Sequence, residues 1–201
     1  MPRPAKFDED QILGAAATLV ATRGPAAATM TAIKHALGAP SGSIYHRFKT
    51  RDELLGKLWL SKATAFQDRW MDALEEADPV RAGLEAALSM PRQVRLDLDG
   101  ARVMLLHRRE DFLMDGWPPE MKAEAERLGR QVKEGLSAMT KRLFERDTAS
   151  ARRATAFATV DIPFSAVRRY VGEGGSPPPH VDALIERAYT AVIEVERGAQ
   201  P

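Results

Sequence analysis

Ser41, Gly42 and Ser43 stand side by side, and Tyr45, His46, Arg47 and Lys49 follow within the next six residues. Small residues let a backbone come close to a partner. The hydroxyls, imidazole, guanidinium and ammonium beyond them are donors of the kind that meet base edges and phosphates. If this segment is helical, His46 lies one turn after Gly42 and Ser43, while Ile44 and Phe48, four apart, form the side that must be buried. The expected division puts Ser43 and His46 on base edges, with Tyr45, Arg47 and Lys49 supplying donors to the backbone around them. Thr29 belongs to the same set, because a hydroxyl and a helix dipole at one N-terminus both suit a phosphate.

Other chemistries find less support. The chain has no cysteine, which excludes disulfides, thiolate metal sites, iron-sulfur clusters and a cysteine nucleophile. His107, Glu110 and Asp111 in HRRED have a spacing that could gather ligands on one turn, but Arg108 and Arg109 would repel a cation. His35 and His180 have no companions. With no nucleophile and base pair and no phosphate-cradling glycine loop, the expectation is no catalytic residue, no cofactor and no metal. Met104, Phe112, Trp117 and Met121 are candidates to line an apolar effector cavity, since methionine adapts to irregular shapes. Asp161, in an apolar stretch two residues before Pro163, is a candidate polar contact to the same effector.

The elements that must position these residues are all helical. A chain of 201 residues with 44% hydrophobic content buries a core without staples. The N-terminal residues read neither as a signal sequence nor as a membrane span, so a soluble cytoplasmic protein is expected. Net charge is +1 overall, yet residues 1–60 hold eight bases against five acids, and Arg47, Lys49 and Arg51 fall within five residues. An anionic partner is therefore expected at the N-terminal quarter.

Helical periodicity runs throughout, without convincing strand alternation, and predicts about nine helices. Asp8 with Gln11 caps the first, which carries Ile12, Ala16, Leu19 and Val20 and ends at Gly24 in a left-handed cap followed by Pro25. The second begins near Thr29 and runs to Gly38. A short third covers Ser41 to Phe48 in about two turns. Thr50 to Glu53 forms a capping box for a long fourth that reaches Asp72 to Ala77. Later helices start near Pro79, Ala101, Met121, Phe157 and Val181, with a kink at Pro91 and a loop from Gly172 to Pro179. Phe157, Phe164 and Val167 on one late helix, and Leu184, Ala188, Val192 and Val195 on the last, form stripes suited to a subunit interface. Ile185 and Ile193 lie off that stripe, so the last helix is apolar on two sides and needs two partners.

Two short helices joined by a glycine turn and flanked by a supporting helix are the plan of a helix-turn-helix DNA reader. At this level the chain resembles the TetR family of bacterial transcriptional regulators. The resemblance rests on Thr29, Ile33, Leu37, Gly38, Ser41, Gly42, Ser43, Ile44, Tyr45, Phe48, Lys49, Arg51, Asp52, Glu53 and Leu54, preceded by Ile12, Ala16, Leu19 and Gly24. It implies a DNA-binding domain over residues 1–50 and an effector-binding and dimerisation domain over residues 51–201. It also implies a homodimer reading a palindromic double-stranded operator, and repression relieved by a small molecule. Lys34 departs from the family pattern by replacing a small residue, and Pro40 by replacing a capping serine. The competing class is a helical ligand-binding or protein-interaction module without sequence-specific DNA binding, and salt-dependent specific DNA binding separates the two.

Overall fold

The structure, a computed structural model, describes residues 7–112 and 117–198. Regular structure among the described residues is helical: α1 (Glu9–Arg23), α2 (Met30–Leu37), α3 (Ser41–Tyr45), α4 (Arg51–Ala73), α5 (Pro79–Leu96), α6 (Leu98–Leu106), α7 (Pro119–Phe144), α8 (Ala149–Ala156), α9 (Ile162–Gly172) and α10 (His180–Gly198). A five-residue π-helical turn, Phe157–Asp161, joins α8 to α9 without a break. The described residues thus form nine helical rods. No described helix is long and apolar enough to cross a membrane.

The local signals explain most of these boundaries. Asp8 and Gln11 make a reciprocal capping box at α1, and the Thr29 hydroxyl caps α2 by accepting from the Ala32 amide at 3.1 Å. Gly38 closes α2 in the left-handed conformation, φ 60° and ψ 30°. Gly24 does something different from the left-handed cap expected of it. Its φ of 79° with ψ of 166° lies in a region that is essentially glycine's alone, and the chain leaves α1 extended into the 3-10 turn Pro25–Ala27.

Helix α4 ends at Ala73, within the expected Asp72 to Ala77, where the Leu74 amide already bonds back to Met71, i to i−3. Two further expectations are corrected. The third helix is five residues long rather than about two turns. The helix expected to start at Phe157 starts eight residues earlier, capped by the Thr148 hydroxyl on the Ala151 amide at 3.2 Å. Its first turns, ASARRATA, are rich in small side chains and show no wide apolar stripe, which is why periodicity does not reveal them. Pro163 sits in the first turn of α9, and the Ile162 amide reaches Phe157, five residues back, so the proline is absorbed by a π turn.

The chain divides into two compact units, Met1–Ala63 with Asp99–Ala125, and Thr64–Leu98 with Glu126–Pro201. The first packs Ile12, Ala16, Val20, Ile33, Ile44, Phe48, Leu54, Leu55 and Leu58 as its apolar interior, together with Phe112 and Trp117. Here α4 is notched at Gly56. A methyl group placed there would fall 2.4 Å from Trp117 Cε2 and 2.5 Å from Met121 Cε, so only glycine lets these side chains seat on the helix. The second unit centres on Leu88, Met139, Leu143, Phe144, Val181, Ile185, Tyr189 and Ile193. Its comparable notch is Gly83, where a methyl would lie 2.2 Å from the Tyr189 hydroxyl oxygen.

Gly56→Ala is expected to destabilise the protein by about 1–3 kcal/mol, since the indole of Trp117 cannot swing aside as the Met121 methyl can. Chemical denaturation of the two proteins side by side checks this, and an unchanged midpoint would show that the notch is not tight.

Candidate nucleic-acid interface

Helix α3 is a single turn and a half, too short to hold its own shape. Its persistence comes from three sets of contacts. Ile44 and Phe48 are buried, 1% and 3% exposed, and the Phe48 amide donates to the Ile44 carbonyl at 2.9 Å, so helical bonding runs on past the last residue of α3. The Pro40 carbonyl accepts from the Ser43 amide at 3.1 Å, which lets proline open the helix without needing an N–H. The Gly38 turn fixes the entry, with the Gly38 and Ala39 amides bonded back to the end of α2.

The third set comes from α4. The Thr50 hydroxyl accepts from the Glu53 amide at 3.0 Å, one arm of the expected capping box. The other arm reaches one residue further than expected: the Glu53 carboxylate accepts from the Lys49 amide at 2.9 Å. Glu53 thereby fixes the backbone at the exit of the recognition segment. Arg51 does more than pair with its neighbour Asp52, whose carboxylate is 3.8 Å away. Its guanidinium donates to the Ala28 carbonyl at 3.1 Å and to the Pro25 carbonyl at 2.6 Å, tying the start of α4 to the 3-10 turn that leads into α2. Bonds from a charged donor to backbone carbonyls are among the strongest polar contacts open to this segment. Residue spacing offers no sign of them, because the two acceptors are backbone atoms 26 and 23 residues away.

With Ile44 and Phe48 turned inward, the remaining side chains face out. Tyr45 is 56% exposed, an aromatic ring left largely in solvent. His46, Arg47 and Lys49 are exposed, and Ser43 is partly so. Thr29 is exposed at the start of α2 while serving as its cap. Ser41 and Gly42 open α3 by backbone, and their side chains lie outside the described residues. The structure therefore brings Ser43, Tyr45, His46, Arg47 and Lys49 onto one short exposed segment whose far side is locked into the first unit.

The other sequence-derived residues separate. Phe112, Trp117 and Met121 are 0%, 3% and 6% exposed and pack in the interior of the first unit, with the Trp117 indole N–H donating to the Phe112 carbonyl at 2.8 Å. Met104 is half-buried in α6. Asp161, expected as an effector contact, lies in the π turn with its side chain exposed. His107 of HRRED sets its ring edge-on to Phe112 with centroids 6.3 Å apart, and the Asp111 carboxylate accepts from the Arg108 amide at 2.9 Å. Among the described residues, no group of histidine and carboxylate side chains is arranged to hold a metal ion.

On the last helix, the inward face is Val181, Ile185, Tyr189 and Ile193. Leu184 and Val195 are 58% and 74% exposed; of the two stripe residues between them, Ala188 and Val192 are partly covered. Phe157 is half-exposed, and with Ala154, Val192 and Val195 it borders an apolar groove. Phe164 is partly buried beside Arg168, whose guanidinium sits 5.9 Å from its ring centroid. Val167, expected at a subunit interface, is fully buried in its own chain and belongs to the core.

Comparison with known proteins supports the resemblance read from the residues. Residues 12–58 match the family model described as bacterial regulatory proteins, tetR family. No curated protein matches the chain. Among solved structures, the chain is similar to the fatty acid degradation regulator FadR from Bacillus halodurans, at 20% identity and TM-score 0.69, covering 92% of this chain and 98% of that one. It is similar also to the TetR family transcriptional regulator PfmR from Thermus thermophilus, at 21% identity and TM-score 0.68, covering 94% and 96%. A third is the transcriptional regulator FadR from Bacillus subtilis in complex with stearoyl-CoA, at 17% identity and TM-score 0.67, covering 96% and 100%. The fold is thus that of TetR-type regulators along nearly the whole chain.

Proposed function

We propose that this chain, TetR-type in its N-terminal domain and in its fold, binds double-stranded DNA as a homodimer and represses transcription until a small apolar effector releases it. A regulator rather than an enzyme is the reading that the family match supports. The observation that carries the DNA-binding half is the short recognition segment, anchored by Ile44 and Phe48 with Tyr45, His46, Arg47 and Lys49 all exposed. Residues 1–50 supply the reading head, and residues 51–201 the effector-binding and dimerisation functions. Ser43 and His46 read base edges, whereas Thr29, Tyr45, Arg47 and Lys49, with Ser41 and Gly42 at the close approach, hold the backbone.

For dimerisation, the support is the apolar stripe Leu184, Ala188, Val192 and Val195 with Phe157 beside it, which solvent does not favour. A second copy presenting the same stripe buries both, and two-fold symmetry then matches a palindromic operator. For the effector, the support is the stearoyl-CoA complex of the Bacillus subtilis FadR together with two buried polar atoms that lack a partner among the described residues, Trp70 Nε1 and Gln93 Oε1. Buried polar atoms of that kind are what a mainly apolar ligand with a few polar groups satisfies. Trp117 and Met121, seated on α4 at Gly56, contribute to this reading as packing that an effector would shift, and Met104 and Phe112 stay candidates for the same lining.

Selecting duplexes from a random-sequence pool with the full chain tests the DNA-binding reading. Single-base variants of the selected site at several salt concentrations then test the residue roles. His46→Ala is expected to cost about 1–3 kcal/mol at one base pair per half-site and flatten preference there. Lys49→Ala is expected to weaken all sequences alike and lower the salt slope by about one per half-site. The opposite assignment of effects would overturn the division of roles.

Leu184→Glu with Val195→Glu is expected to convert the dimer into a folded monomer in sedimentation at micromolar concentration, because four carboxylates would meet across the two-fold stripe. A dimer that survives both changes would place the interface elsewhere.

Stearoyl-CoA and free stearate, titrated against the labelled selected duplex, are expected to lower DNA affinity, and DNA to lower effector affinity by the same factor. Tight binding of either compound with DNA affinity untouched would sink the repressor model.

A further inference from the structure

A crevice of about 170 Å³ opens between α2 and α3, lined by Met30, Thr31, Lys34, Ile44 and Tyr45. Ile44 is its buried floor, and Tyr45, mostly exposed, forms one wall. Thr31 is exposed, one turn before Lys34 on the same helix. Lys34 is half-buried, and among the described residues it has no ion-pair partner. Three hydrogen-bonding groups, a hydroxyl, an ammonium and a phenol, therefore meet around one small concavity whose lining contains no carboxylate. Withdrawing an ammonium partly from water without a counter-charge is unfavourable unless an anion is supplied from outside.

We propose that this crevice seats a DNA backbone phosphate, with Lys34 as its neutralising cation and the Thr31 and Tyr45 hydroxyls as further donors. The inference rests on the DNA-binding reading and adds to it a contact from α2. In a helix-turn-helix module the first helix crosses the nucleic-acid backbone while the second enters the groove, and the α2–α3 crevice lies at that junction. A phosphate oxygen accepts from an ammonium and from hydroxyls alike, which matches the donor set. The bland alternative is that Lys34 only packs its aliphatic stem beside Tyr45 and favours the C-terminal end of α2.

Lys34→Met keeps the stem and removes the charge, and Lys34→Arg keeps both in a longer form. The full chain and both variants are compared on the duplex selected by the wild-type protein and on an unrelated duplex, with affinity measured across a salt series. Thermal unfolding of each variant is followed alongside. The proposal expects Lys34→Met to lower the slope of log affinity against log salt by about 0.9 per half-site on both duplexes, with Lys34→Arg restoring it and unfolding unchanged. Equal slopes for wild type and Lys34→Met would overturn the crevice while leaving DNA binding intact. A wild-type chain that selects no duplex at all would overturn both readings.

Discussion

The recognition segment is held from outside itself, and everything proposed for the N-terminal unit follows from that. Five helical residues close too few hydrogen bonds to offset the chain entropy of ordering them. The turn persists because Ile44 and Phe48 are sunk into the first unit, the Glu53 carboxylate holds the Lys49 amide, and Arg51 fastens the start of α4 to the carbonyls of Pro25 and Ala28. None of these anchors uses the side chains of Tyr45, His46, Arg47 or Lys49. The outward side chains are consequently free of structural duty, and a surface whose residues carry no packing obligation can be matched to a nucleic acid without endangering the fold.

The same chemistry recurs in the second unit, where arginines close helix ends. Arg142 on α7 donates to the carbonyls of Leu74, Glu76 and Ala77 just beyond α4. Arg197 near the end of α10 donates to the Leu143 carbonyl in the last turn of α7, at 3.0 Å and 3.2 Å. Arg146 pairs with the Glu196 carboxylate at 2.7 Å and donates to the Glu196 carbonyl at 2.8 Å, while the Ser150 hydroxyl completes the carboxylate's partners at 2.9 Å. Helix C-termini expose carbonyls that nothing in the helix satisfies, and a planar guanidinium fits several of them at once. Between these clamps the interior is closed by the Tyr189 ring over Gly83. Burial pushes its phenol far above the ordinary range, so the hydroxyl stays protonated and donates to the Val80 carbonyl at 2.9 Å.

What the residues reveal in advance is whatever is local. The caps at Asp8 and Thr29, the Gly38 turn, and the Ile44 and Phe48 anchors depend on neighbours within four positions, and they are readable from spacing. Side-chain to carbonyl contacts across long stretches are not, since any carbonyl accepts whatever its residue type. The manner in which α7 stops is not readable in the same way: Glu145, just past its end, takes φ 55°, a left-handed conformation that is usually glycine's. Helix α10 shows a different limit. Its two apolar stripes, Ile185 with Tyr189 and Ile193, and Leu184 with Val192 and Val195, are nearly equivalent as patterns. Only the packed structure shows which one its own chain consumes. The burial of Val167 eludes a count of helical spacing because the π turn shifts the phase between α8 and α9 by a fraction of a turn.

The Arg142 clamp carries an evolutionary corollary. It grips Leu74, Glu76 and Ala77 through their backbone oxygens and ignores what those residues are. The connection between α4 and α5 is therefore buffered against drift: its side chains can be exchanged over generations with the grip intact, whereas the gripping arginine has no substitute of equal reach and shape. A clamp of this kind constrains one side chain on α7 and leaves the side chains of the loop opposite it free of that contact.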